Sequence, residues 1–443
     1  MQMEKRRWLV VVGAMLVQLC LGAIYAWSAF TKHLTLPPYD FNRTQTQAIF
    51  SLGLLSFAVV MALIAGKWQA KVGPRRVALV GGLVLGAGYV MAGLSGASFY
   101  GMLIGIGLLG GAGIGLGYVC PIAALVKWFP DKKGLITGLA VAGFGFGALI
   151  WIKLTSGFEF GPLNLTPGWA GLFGDGLSVN QIFILYGILF AAIVALGSTM
   201  LVNPPDGFRP EGWTPPTDSR AALTGGIDFT VSEMVRTSQF WGLFFIFAVG
   251  ATAGLMVIGV IKLFGMEALA ARGVDDLRAG VITGTAMGLF YALMNGLGRV
   301  AWGFISDKIG RRASIAAMSL LQGVTMIAFY YTGGTETGLY IGSAIVGFNF
   351  GGNFALFPAA TADFFGNRSV GTNYPWIFMS YGLGGLVGPL LGGAMGDARV
   401  WMWAFIPAGV ACLAAGVVAL RLRSPHHKAV MAKGGAALSA QPS

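Results

Sequence analysis

The chain reads as an all-α membrane protein, with twelve transmembrane helices in two pseudo-symmetric six-helix halves. Three observations predict this. Hydrophobic residues fill 56% of the 443 positions and charged residues only 10%, whereas a water-facing domain carries roughly 25% charge. Twelve apolar stretches follow one another, each near the ~20 residues that cross a bilayer. Lys and Arg crowd into alternate connections between them.

The first stretch, 8–30, follows Lys5-Arg6-Arg7 and is long enough to span rather than to act as a cleaved leader. The second and third, 47–66 and 77–95, flank a basic loop from Lys67 to Arg76. The fourth and fifth, 100–126 and 135–154, carry the Gly-rich runs GIGLLGGAGIGLG and GFGFG, which let helices approach closely and slide. The sixth, 182–202, closes an N-terminal bundle of residues 1–202. The Pro-, Gly- and Asp-bearing segment 203–239 marks a cytoplasmic linker. The C-terminal bundle, 240–422, holds the stretches 240–264, 280–304, 314–332, 338–361, 373–396 and 400–420. Residues 423–443 are small and polar and are expected to be a disordered cytoplasmic tail. The Gly-rich loop 155–180 is expected on the extracytoplasmic side.

Charge sets the orientation. With the N-terminus inside, 21 of the 29 Lys and Arg fall on the side of both termini and seven on the other, leaving Arg299 on neither. That bias supports both termini being cytoplasmic. The chain is expected to be a monomer in the plasma membrane, on a prokaryotic reading the inner one. The net charge of +12 is thus a topology signal; no basic stripe alternates with aromatics, so no nucleic-acid partner is expected. Cys20, Cys120 and Cys412 lie in apolar runs and read as packing residues, with no disulfide, metal or cofactor implied.

Arg299 is the only charge in the run from Gly280 to Phe304. A guanidinium at that depth costs about 2.5–3.5 kcal/mol on insertion scales and cannot escape by losing its proton. A permanent cation facing a cavity implies an anion that comes and goes, and its planar fork suits a carboxylate. Asn295, one turn earlier, shares its face.

The two halves repeat a loop. Gly66-Lys67-Trp68-Gln69-Ala70-Lys71-Val72-Gly73-Pro74-Arg75-Arg76 follows the second stretch, and Gly303-Phe304-Ile305-Ser306-Asp307-Lys308-Ile309-Gly310-Arg311-Arg312 the eighth. Pro121 and Pro358 also occupy matching places. This spacing resembles the signature loop of the major facilitator superfamily, intact in the second copy and carrying Ala70 for Asp in the first. The resemblance implies the major facilitator fold, a substrate near the midplane between halves, and alternating access by rocking. It assigns gating to Asp307, Lys308, Arg311, Lys71 and Arg75, with Asp307 capping a helix or pairing across the interface. Asp363, about a turn past Pro358, is expected to join them by pairing with a cytoplasmic base.

Within that superfamily the chain resembles the oxalate:formate antiporter family nearly throughout. The motifs are Leu21-Gly22-Ala23-Ile24-Tyr25-Ala26-Trp27-Ser28, Gly117-Tyr118-Val119-Cys120-Pro121, Lys127-Trp128-Phe129-Pro130-Asp131-Lys132-Lys133-Gly134, Ala142-Gly143-Phe144-Gly145, Asn295-Gly296-Leu297-Gly298-Arg299 and Gly351-Gly352-Asn353-Phe354-Ala355-Leu356-Phe357-Pro358. The monocarboxylate transporters are similar around the eighth stretch, where their Asp-x-x-x-Arg stands as Asn295-x-x-x-Arg299. The resemblance implies that Trp27, Tyr118, Phe144, Phe350, Asn353, Phe354, Phe378 and Tyr381 surround the anion with Arg299 and Asn295. Such walls exclude water and strengthen the Arg–carboxylate attraction.

Two departures decide the substrate class. Oxalate transporters are expected to carry a second cation, a Lys, in the eleventh stretch, and Tyr381 stands there; no Lys or Arg occurs between Arg368 and Arg399. The first-stretch Lys of the animal monocarboxylate transporters is missing too, with Ala29 near its place. One fixed cation balances one carboxylate, so lactate, pyruvate or formate fits better than oxalate. Proton symport is favoured over exchange, with the proton carried on the substrate or Asp363, since Asn295 cannot titrate. Oxalate:formate exchange is the alternative. An intramembrane enzyme would need His or acids inside the spans, and all three His (33, 426, 427) fall outside them. Lys153 and Lys262 are expected to snorkel to the outer interface.

Overall fold

The structure, a computed structural model, describes residues 2–129, 133–155, 158–160, 163–165, 177–205, 208, 210, 229–366, 370–423 and 425. Most of the expected linker and of loop 155–180, the tail beyond 425, and Pro130, Asp131, Lys132 and Arg368 lie outside these residues. Among the described residues, eleven helices are long and apolar enough to cross a membrane: α1 Arg6–Leu34, α2 Arg43–Val72, α3 Pro74–Leu94, α4 Phe99–Leu125, α6 Val179–Met200, α7 Ser238–Ala270, α8 Asp276–Ile309, α9 Arg311–Thr332, α10 Glu336–Phe365, α11 Thr372–Asp397 and α12 Met402–Arg421. The helix Lys133–Thr155, α5, completes the twelve.

Their arrangement follows the repeat. Across the two halves α2 packs on α11 and α5 on α8, contacts that exchanging the halves interconverts. At the periphery α3 lies on α6 and α9 on α12, again a matched pair. Leu83, Ile188, Val324 and Val410 on these outer helices expose their side chains, as lipid-facing positions must. Polar residues at helix starts satisfy the first free amides: Asn42 and Gln45 form a reciprocal capping box on α2, and Ser178 and Gln181 another on α6.

The repeated loop makes the same turn twice. α2 ends at Gly73 and α8 at Gly310, both at φ +87°, a backbone that L side chains rarely adopt. Three helices depart from regular winding beside the centre. α1 tightens into a 3-10 segment at Gly22–Ala26, and α2 and α8 widen into π-helical turns at Met61–Ala65 and Ala286–Tyr291. Such departures re-aim the side chains that follow them and recur at functional sites.

The end of the bundle away from the termini, here called distal, is fastened across the halves. Lys32 at the end of α1 pairs with Asp276 at the start of α8 at 2.5 Å. Arg43 on α2 pairs with Glu267 on α7 at 2.8 Å and also donates to the Gly396 carbonyl. Asp397, at the end of α11, accepts from the Arg43 and Thr44 amides at 2.8 and 2.9 Å and from the Thr44 hydroxyl at 2.6 Å. One half thus caps a helix start in the other. A short antiparallel strand pair, Phe158–Phe160 with Leu163–Leu165, rests its backbone near the start of α8 from the opposite half.

Candidate functional site

Arg299 is 1% exposed and sits where α5 meets α8, so its burial is at the seam between halves. Glycines let the two helices come this close: a Cβ on Gly145 would stand 3.3 Å from both the Arg299 Nε and the Gly296 Cα. Nη1 donates to the Val141 carbonyl of α5 at 2.7 Å, and Nε to the Asn295 Oδ1 at 3.3 Å. The guanidinium lies 4.1 Å over the Phe354 ring and 5.9 Å from that of Phe144, so an aromatic from each half flanks it. Nη2 and the Asn295 Nδ2 are buried and have no hydrogen-bond partner among the described residues. Among the described residues no carboxylate pairs with the guanidinium. An unused donor on a permanent, buried cation and a second on the amide beside it form a receptor for an anion.

An aromatic shell from four helices closes round this group. Tyr118 of α4 meets Phe144 of α5 edge-on at 5.2 Å. Phe350 and Phe354 of α10 are 5.3 Å apart, and Phe378 stacks on Tyr381 of α11 at 4.7 Å. Tyr381 also meets Phe354 at 5.6 Å. Thus Asn295, Tyr118, Phe144, Phe350, Phe354, Phe378 and Tyr381 are brought together with Arg299. Such edge and offset contacts each contribute about 0.5–1.5 kcal/mol beyond burial.

Two expected members are elsewhere. Trp27 donates from Nε1 to the Thr46 carbonyl at 3.0 Å and stacks on Phe183 of α6, inside the N-terminal half. The 3-10 segment just before it turns Tyr25 to the centre instead. Asn353 donates to the Asn349 and Phe350 carbonyls and shares a small polar cavity with Ser319, Gln322 and Asn349, inside the C-terminal half. It sits beside Gly250 of α7 rather than on the seam.

The sequence reading missed Tyr25, Phe57 and Tyr291. Tyr25 Oη and Tyr381 Oη are 2.9 Å apart, a hydrogen bond that joins the halves. Its ring meets Phe144 at 5.0 Å and Phe350 at 5.6 Å. Phe57 of α2 touches Tyr118 at 5.1 Å and Tyr381 at 5.6 Å. Tyr291, on the π-helical turn of α8, donates to the Gly254 carbonyl at 3.1 Å. Arg299 lies within electrostatic reach of the Tyr25, Tyr118, Tyr291 and Tyr381 hydroxyls. Tyr25 was visible in the motif that also contains Trp27; the missing signal was the local change of winding.

Three of the expected gating residues, Asp307, Arg311 and Asp363, form a cluster within one half. Arg311 pairs with Asp307 at 2.8 Å and with Asp363 at 3.2 Å, and its Nη1 also reaches the Ser306 hydroxyl. Lys308 lies 4.3 Å over the Phe304 ring. All belong to α8, α9 and α10, so Asp307 pairs along its own half rather than across the seam. Lys71 and Arg75 are exposed, with no ion pair among the described residues. Lys262, expected to snorkel, is instead 9% exposed.

The chain is similar to known proteins along most of its length. The family model described as Major Facilitator Superfamily matches residues 7–374 and 268–441. The chain is 28% identical to the apicoplast pyruvate carrier 1 of Toxoplasma gondii, over 85% of this chain and 82% of that one. It is 27% identical to the oxalate:formate antiporter of Oxalobacter formigenes, over 90% and 87% respectively. Among solved structures it is similar to a bacterial homologue of the human lysosomal transporter Spinster, inward-facing and unoccupied, with TM-score 0.64, 16% identity and coverage of 94% and 96%.

Proposed function

Because this chain belongs to the major facilitator superfamily and is therefore a multi-pass transporter, we propose that it carries small monocarboxylates of the lactate, pyruvate or formate class by alternating access. The observation that carries the reading is the free Nη2 of Arg299 beside the free Nδ2 of Asn295, both buried at the seam. A carboxylate accepts from both, neutralises the guanidinium, and leaves a short apolar remainder against Phe144, Phe350 and Phe354. The names of the pyruvate carrier and the oxalate:formate antiporter lend support, since both transported classes are carboxylates.

A monoanion is favoured over a dianion by what faces Arg299. Tyr381 brings a hydroxyl where a second cation would be needed, and a second buried carboxylate would go unbalanced. Exchange of oxalate for formate is the second reading, resting on the likeness to the antiporter. Proton symport, with the proton carried on the substrate, fits a centre lined by aromatics, hydroxyls and amides. The carrier works as a monomer in a prokaryotic plasma membrane with both termini cytoplasmic.

Reconstitution tests this. Purified protein in liposomes is expected to take up labelled L-lactate, pyruvate or formate, faster under an inward proton gradient, and Arg299→Gln is expected to abolish uptake. Oxalate–formate exchange without monocarboxylate uptake would overturn the monoanion assignment.

A further inference from the structure

A second cation lies buried between the halves, away from the central site. Lys262 of α7 is 9% exposed, and among the described residues its ammonium makes no hydrogen bond and no ion pair. The side chain is largely buried, and its charge has no acid of its own to balance it, so it can be balanced by an incoming anion. Around it lie Lys32 and His33 of α1 and Asp276 of α8, all within electrostatic reach. The one acid of that group is held by Lys32 at 2.5 Å. The cluster therefore carries surplus positive charge in a poorly hydrated place.

Its position gives the surplus a use. α7 also carries Phe247, whose ring meets Phe378 at 6.0 Å and Tyr381 at 6.4 Å in the central shell. Lys262 follows fifteen residues later, about four turns and ~22 Å toward the distal end, on broadly the same side of the helix. The end of α1, from the opposite half, packs against α7, fastened at the distal end by the Lys32–Asp276 pair. Separating the halves at the distal end removes that packing and presents the ammonium to water.

We propose that Lys262 is a second carboxylate-binding residue, a distal station that receives the anion when that end opens and passes it inward to Arg299. This rests on the carboxylate-carrier reading above. A lysine suits a station better than an arginine: a single mobile point charge attracts a carboxylate without the two-point grip that would hold it back. As the distal end closes, α1 returns, Lys32 regains Asp276, and the anion is displaced toward the centre.

Amine acetylation, read by mass spectrometry at Lys262, tests the station directly. The protein is held in nanodiscs and treated with a water-soluble acetylating ester, with L-lactate or formate as probe and glycerol as uncharged control. Lys262 is expected to be acetylated, at least about threefold more slowly with saturating lactate or formate and unchanged by glycerol. The same protection is expected in Arg299→Gln, which lacks the central receptor. No acetylation of Lys262 means the ammonium is never presented; equal protection by glycerol, or protection lost in Arg299→Gln, means no anion binds there. Each of these overturns the proposal. Transport gives the second readout. Lys262→Gln should raise KM for uptake through the distal end about tenfold with little change in kcat, and Lys262→Arg should restore KM. Identical kinetics for Lys262→Gln and Asp276→Asn, with no further loss in the double variant, would make Lys262 a partner of the latch and overturn the station. If no carboxylate is transported yet Lys262 stays protected, the carrier reading fails and the anion station stands.

Discussion

At the scale of single residues, the centre is governed by one guanidinium and the groups that leave part of it unused. Val141 and Asn295 engage two of its three nitrogens, and the third, Nη2, is kept free. Arg299→Lys should therefore keep the charge and lose the fork, weakening carboxylate binding by about 10–100-fold in a calorimetric titration. Unchanged affinity would mean a point charge suffices. Tyr381 makes the complementary prediction. Tyr381→Lys adds a cation beside Arg299, so the ratio of oxalate to lactate affinity should rise by about tenfold or more in competition binding. A ratio that stays put would dissociate selectivity from charge count. Most of this shell was legible as residue types, because an isolated Arg in an apolar run has few structural explanations. Which face each aromatic presents was not legible. Trp27 and Tyr25 lie two positions apart and so face opposite sides of the helix, and the motif alone did not say which of the two sides meets the centre.

At the scale of elements, the twelve spans were legible from hydropathy alone, since a bilayer leaves only a continuous helix for backbone that must satisfy itself. The matched glycine turns were legible too, because the spacing that carried them demands positive φ at Gly73 and Gly310. Partnership across helices was not. Asp307 turns to Arg311 within its own half rather than across the seam, while Asp363 finds in Arg311 the base expected for it. Lys262 read as an interfacial lysine, and the structure gives it as 9% exposed. The α5–α8 seam yields its own prediction. Gly145→Val would drive a branched side chain into Arg299 and Gly296, costing about 1–3 kcal/mol as overpacking. Its melting temperature should fall, and transport should be lost even in molecules that remain folded. Near-normal transport would show that the seam has slack.

For the whole molecule, the polar contacts at the distal end join the two halves. Asp397 holds two amides and a hydroxyl at the start of α2, so Asp397→Ala removes three acceptor contacts at once. If each contributes about 0.5–1.5 kcal/mol, the population with the distal end parted should rise substantially. Spin labels on the exposed Leu36 and Leu277 positions, one on each half, should report a longer distance in that variant. No lengthening would mean the ion pairs of Lys32 and Arg43 suffice. The central contacts bear on a different property. The Arg299–Val141 and Tyr25–Tyr381 bonds tie the halves together with atoms of the chain alone. A machine whose jaws can clasp their own lining does not need a passenger for the journey home. An unladen return is what the proposed symport requires and one-for-one exchange does not, so uptake into liposomes holding no carboxylate is the measurement that separates them.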